Sequence, residues 1–223
     1  MYNFRDVDGS EIVEGSEMMN VIAAHRRALA AALDTLTADQ WRSPSLCAGW
    51  TAAHVLAHQT MPFRISEPDF MAGLQRYGGD FTRFSDEIAE RDSQLPPAEL
   101  VAVLRDNAET PWCPPGGGLT GALTHDVIHG LDIAWPLGLA YEIPERATTM
   151  TLDSLTSSGS RSLFGFPLEG VRVSTSDLDW SAGEGAQLTG RSHDLVPLLA
   201  GRAVPREFFE GDGAAKAWSM AAR

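Results

Sequence analysis

Apolar residues Met19, Ile22, Ala23, Leu29, Ala30, Leu33 and Leu36 recur near helical spacing and predict a first long helix over roughly Gly15 to Leu36. Thr37 to Trp41 continues or restarts a turn, and SPSLCAG at 43–49 has loop chemistry. Thr51 is a good N-cap for the next helix, TAAHVLAH at 51–58, which Pro62 should kink or end. Asp69 to Gln94 reads as helix interrupted at Gly78 and Gly79. Pro96 and Pro97 then open a short helix carrying Leu100, Val103 and Leu104, because proline suits a first helical turn. PWCPPGGG at 111–118 is a loop, stiff and then flexible. A further helix begins near Thr120 and must stop around Pro136 to Gly138, and another covers Pro144 to about Ser160.

The texture changes after Gly159. VRVST at 171–175 alternates as a strand does, Asp177 to Ser181 reads as a strand and turn, and Ala186 to Thr189 is a candidate partner strand. Gly190 to Gly201 reads as a capped helix closed by glycine, and the small residues from Gly211 onward suit a terminal helix. The expectation is an α+β chain: an all-α part over 1–162 and a small α/β C-terminal domain over 163–223, divided somewhere in 160–168.

Apolar residues make up 43% of the 223 positions, enough to build real cores. The net charge of −13, with no basic run, argues against nucleic acid as a partner. Two cysteines, Cys47 and Cys113, do not make a disulfide framework in a chain of this length. With no apolar leader at the N-terminus and no window long enough to span a bilayer, the expectation is a cytoplasmic protein with no membrane partner. Monomer and homodimer are both open.

Histidine spacing carries the candidate chemistry. His125 and His129 lie four residues apart and so share one helix face, and His54 and His58 repeat the spacing upstream. His58, His125 and His129 form a candidate three-imidazole metal site between two helices, with a coordination position open to substrate. Zinc suits such a neutral nitrogen set best, and nickel, copper and iron also take imidazole. His54 is a fourth ligand, a group supporting one, or neither. Asp126 is solvent-facing or supports a ligand, and Asp132 either orients a ligand ring or pairs with an arginine. Cys47 and Cys113 show no partner base in the sequence, so packing is the better reading for both. Trp50 and Trp135 suit the core, the junction between the two parts, or the lining of a cleft.

Three segments carry a resemblance. WRSPSLCAGWTAAHVLAH (41–58) is similar to the entry into the second helix of the mycothiol-dependent maleylpyruvate isomerase family, within the DinB-like metal-binding four-helix bundles. HDVIHGLD (125–132) resembles that family's ligand-bearing helix. DLDW (177–180) followed by GRSHDLVPLLAGR (190–202) looks like its small C-terminal domain.

The resemblance implies a DinB-like bundle, metal ligands at His58, His125 and His129, and a low-molecular-weight thiol such as mycothiol as cosubstrate. Arg202 resembles a family arginine that would meet a carboxylate of substrate or cosubstrate, although an arginine at a helix end also has a plain structural reading. The middle ligand is expected to be Glu in the isomerase and is His125 here, a pattern nearer the wider DinB group. The leading reading is a metal-dependent thiol S-transferase or isomerase acting on a small electrophile. The alternative is a DinB-like metal-binding protein or hydrolase without thiol chemistry.

Overall fold

The computed structural model describes residues 9–157, 166 and 168–221. The chain runs α1 (Gly9–Leu33), α2 (Ala38–Trp41), α3 (Ala52–Arg64), α4 (Glu67–Arg76), α5 (Phe81–Asp92), α6 (Pro97–Asp106), α7 (Gly118–Ala134) and α8 (Glu145–Thr156). Strands β1 (Val171–Thr175), β2 (Ser181–Ala182) and β3 (Ala186–Gly190) follow, then α9 (Ser192–Leu199), a 3-10 turn (Arg206–Phe208) and α10 (Asp212–Ala221).

Four helices close a ring in which α1 packs on α6 and α7, and α3 packs on α6 and α7. Their inward stripes, among them Ile22, Leu29, Val55, Leu56, Leu100, Leu104, Leu123 and Val127, are buried. Outside the ring, α5 lies on α3 and α8 on α7. The expected break at Gly78 and Gly79 is present and separates α4 from α5. Helix α4 comes very close to α5: a Cβ at Gly73 would lie 2.3 Å from Phe84 Cε2, so only glycine allows that approach.

Helix α7, expected to begin near Thr120, starts at Gly118. One expectation shifts: α3 does not stop at Pro62 but continues to Arg64. Proline removes one intrahelical donor. Arg64 ties the end of the helix down: its guanidinium donates to the Ala57 carbonyl (2.6 Å) and to Thr60 Oγ1 (3.2 Å), and it pairs with the buried Asp92 of α5.

The sheet has the order β2-β1-β3. β1 runs antiparallel to β2, with Val173 opposite Ala182, and parallel to β3, with Val173 opposite Leu188. Val171, Val173 and Thr175 face inward, and α10 packs on β1 and β3. Helix α9 packs on α8 and α7. Two indole N–H groups bridge the same seam: Trp135 donates to Asp194 and Trp180 to Asp153, both at 2.8 Å. Most buried apolar residues of the helices and of the sheet form one continuous cluster, and Met61, Phe84 and Ile88 form a second between α3 and α5. The expected division at 160–168 falls mainly on residues outside those described.

Candidate metal centre

Helices α3 and α7 pack against each other, which turns His58 toward His125 and His129. One ring nitrogen of each lies within 4.8 Å of the others, and His58 Nε2 is 3.2 Å from His125 Nε2. Each ring is held from behind through Nδ1. Asp126 Oδ1 lies 3.1 Å from Nδ1 of His125, Asp132 Oδ2 lies 2.9 Å from Nδ1 of His129, and Ser85 Oγ lies 2.8 Å from Nδ1 of His58.

The electrostatics decide which nitrogens carry protons. Burial pushes the Asp126 carboxyl up, but hydrogen bonding from His125 and the Arg26 guanidinium outweigh it and bring it down to about 2. Burial likewise opposes ionisation of Asp132, and hydrogen bonds from Arg202 and His129 hold it well below the usual carboxylate range. Both groups are therefore carboxylates and can only accept, so Nδ1 of His125 and of His129 is the protonated nitrogen and Nε2 keeps its lone pair. Ser85 can accept or donate and so suits either tautomer of His58. Burial first, then the neighbouring His129 and His125, keep His58 well below its ordinary range. Burial also lowers His129, against the pull of Asp132.

These residues fit a divalent cation. Tetrahedral zinc with Zn–N bonds of about 2.0–2.1 Å needs its nitrogens roughly 3.4 Å apart. The 3.2 Å separation of two unshielded nitrogens is of that size. A neutral imidazole oriented by a carboxylate is also the usual support for a metal-bound histidine.

Two of the supporting groups reach further into the fold. Arg26, fully buried on α1, donates from Nε to Asp126 (2.7 Å) and from Nη1 to the carbonyls of Asn107 (3.1 Å), Ala108 (3.3 Å) and Thr110 (2.9 Å). Arg202 makes a two-point contact with Asp132, Nε to Oδ1 at 2.8 Å and Nη2 to Oδ2 at 2.9 Å, and gives Nη1 to the Ala200 carbonyl. Asp132 therefore fills both of the roles open to it, orienting a ring and pairing with an arginine, and Asp126 is buried rather than solvent-facing.

The Cys47 thiol completes this polar flank. It donates to Asp132 Oδ2 at 3.0 Å and lies 3.9 Å from His129 Nδ1 and 3.8 Å from Arg202 Nη2. Burial, reinforced by the Asp132 charge and hydrogen bond, pushes the thiol far up, which favours the protonated thiol as a donor to Asp132. The loop that carries it is pinned to α7 by the Leu46 N–H on the Asp132 carbonyl.

His54 stands apart from the cluster. Its Nδ1 lies 2.7 Å from Thr51 Oγ1 and receives the Thr51 N–H (3.4 Å), an N-terminal cap of α3. Its Nε2 lies 2.9 Å from Glu90 Oε2, so neither nitrogen faces the other histidines. Trp50 packs against His58 and Trp112 against His125, with ring centroids 5.2 and 5.3 Å apart. Cys113 lines a cavity of about 700 Å³ that opens from His58 and His125. Ser85 and Arg26 were not foreseen. Their signal was present, since each is a polar residue inside an apolar helical stripe: Ser85 among Phe81, Ile88 and Ala89, and Arg26 between Ile22 and Leu29.

Residues 22–110 match the family model of the mycothiol maleylpyruvate isomerase N-terminal domain, a stretch that holds Cys47, His58 and Ser85 but ends before α7. No curated protein matches the sequence. Among solved structures, the chain is similar to the mycothiol-dependent maleylpyruvate isomerase and to a histidine-to-alanine mutant of it. In each case the identity is 16%, the TM-score 0.57, and the match covers 96% of this chain and 97% of the other. Over residues 22–110 the chain thus matches the model of the mycothiol maleylpyruvate isomerase N-terminal domain, and as a whole it shares the fold of that isomerase.

Proposed function

We propose that the chain is a metal-dependent enzyme that uses a low-molecular-weight thiol, mycothiol or one like it, to isomerise a small electrophile or to transfer sulfur to it. The observation that carries this reading is the convergence of His58, His125 and His129 with their outer nitrogens held by Ser85, Asp126 and Asp132. The family match and the shared fold support the thiol. In this reading His58, His125 and His129 hold a divalent cation, best zinc, whose positive charge favours the thiolate form of a thiol at neutral pH.

The residues do the positioning. Asp126 and Asp132 keep their histidines in one tautomer, and Ser85 adjusts to His58. Arg202 holds Asp132 ionised, and any contact it makes with a carboxylate of the thiol adds to that role. In the isomerisation, thiolate sulfur bonds to one carbon of a conjugated double bond and the π pair moves onto the adjoining carbonyl oxygen. The former double bond rotates, the pair returns, and the C–S bond breaks to release the thiolate. In S-transfer the adduct takes up a proton and the C–S bond stays.

Metal analysis of the purified chain and calorimetric titration with mycothiol test the reading. About one zinc per chain, lost in His58→Ala and His129→Ala, and saturable thiol binding by the zinc-loaded chain are expected. Tight zinc without thiol binding overturns the thiol chemistry and favours the second reading, a metal-dependent hydrolase. That reading draws on His125, which makes the ligand set neutral where the isomerase is expected to have Glu. A chain that takes up no zinc overturns both.

A further inference from the structure

The cavity that opens from His58 and His125 is built by α3, α4, α5 and the segment at 112–115. Its walls are Met61, Ile65, Phe70, Leu74, Phe81 and Trp112. Among the described residues no lysine or arginine lines it, and its one carboxylate is Glu67.

The cations on the bordering elements are engaged elsewhere. Arg64 is held by Asp92 and the Ala57 carbonyl, Arg76 faces Glu87 at 3.6 Å, Arg83 lies over the Tyr77 ring at 5.5 Å, and Arg91 pairs with Asp92 at 2.6 Å. Arg202 is on the other side of the cluster, against Asp132. Met71, which lines the cavity, is 56% exposed and Phe81 is 45% exposed, so apolar surface continues outward to solvent. A dicarboxylate entering here could bring one carboxylate to the cation proposed at the base of the cavity, but the other would surrender its hydration to apolar walls, with an acidic side chain nearby and, among the described residues, no arginine or lysine along them. An uncharged apolar molecule would gain roughly 25 cal/mol for each Å² of surface it buries.

We propose that the electrophile taken by this site is an uncharged, largely apolar molecule, an alkyl- or aryl-substituted α,β-unsaturated carbonyl compound, and not a dicarboxylate. The proposal rests on the histidine cluster being the reaction centre, and its binding arm is independent of the thiol.

The test uses the intact chain and the neutral fluorescent probe N-phenyl-1-naphthylamine, displaced by dibutyl maleate in one series and by maleate in the other. The probe is expected to bind, and the diester to displace it at a concentration at least tenfold below that of maleate. Met71→Lys, a change at an exposed position, should weaken the diester severalfold and narrow the gap. Failure of the probe or diester to bind, displacement by maleate as effective as by the diester, or a diester affinity untouched by Met71→Lys overturns the proposal. A separate assay follows loss of free mycothiol thiol with the zinc-loaded chain and the diester. No loss there, with the binding preference intact, sinks the thiol chemistry and leaves the substrate class standing.

Discussion

At the scale of single residues, the centre depends on groups that never face the cavity. Asp132 accepts from His129, from Cys47 and twice from Arg202, and it is fully buried. Replacing it by Asn keeps the shape but removes the charge that fixes the His129 tautomer. Asp132→Asn is expected to lower zinc affinity about 10- to 100-fold, as losses of such supporting partners do. Competition with a chromophoric chelator measures this, and an unchanged affinity would mean that Asp132 does not orient the ligand. The three histidines themselves were legible because helical spacing alone puts His125 and His129 on one face. The direction of each ring was not, because it depends on Ser85, Asp126 and Asp132, and only packing shows which nitrogen each of them touches.

At the scale of elements, apolar spacing and helix-boundary residues marked out the helices α1, α3, α6 and α7, Gly78 and Gly79 marked the break between α4 and α5, and the bundle came only from the family resemblance. What periodicity does not carry is how close two helices come. Gly73 is the one buried residue of α4, seated on the Phe84 ring. Gly73→Ala should push α4 away from α5 and cost about 1–3 kcal/mol, the range for overpacking a close contact. Urea unfolding at fixed pH measures the loss, and a midpoint within error of the parent would show that the contact is not tight. The extension of α3 past Pro62 escaped sequence reasoning for a related reason: the arginine that secures it draws on a carboxylate from another helix. The parallel pairing of β1 with β3 was equally hidden, since alternation predicts strands and not their partners.

At the scale of the whole molecule, burial couples stability to acidity. His25 on α1 is fully buried, 3.4 Å from the Tyr141 hydroxyl. Burial lowers it from 6.5 to about 4, with Asp126 pulling upward and Arg26 downward. The unfolded chain takes up this proton near pH 6.5 and the folded chain only near pH 4, so across that interval the unfolded state binds more protons and stability falls as pH falls. The contribution approaches roughly 3 kcal/mol at the acid end. Urea midpoints of the parent and of His25→Phe, compared from pH 7 to pH 4.5, should draw together as pH falls if the variant starts out less stable, crossing where the loss exceeds the starting gap, and should move apart if it does not. A constant difference would refute the assignment.

The guanidinium of Arg26 grips Asp126 with one nitrogen and the carbonyls of residues 107, 108 and 110 with another. Asp126 aims His125, and those carbonyls lie just ahead of Trp112 in the chain. One side chain at the far side of the bundle is thus a common anchor for the His125 imidazole and for the wall beside it. The two are registered to each other through the same fixed point, and a disturbance there would move both together.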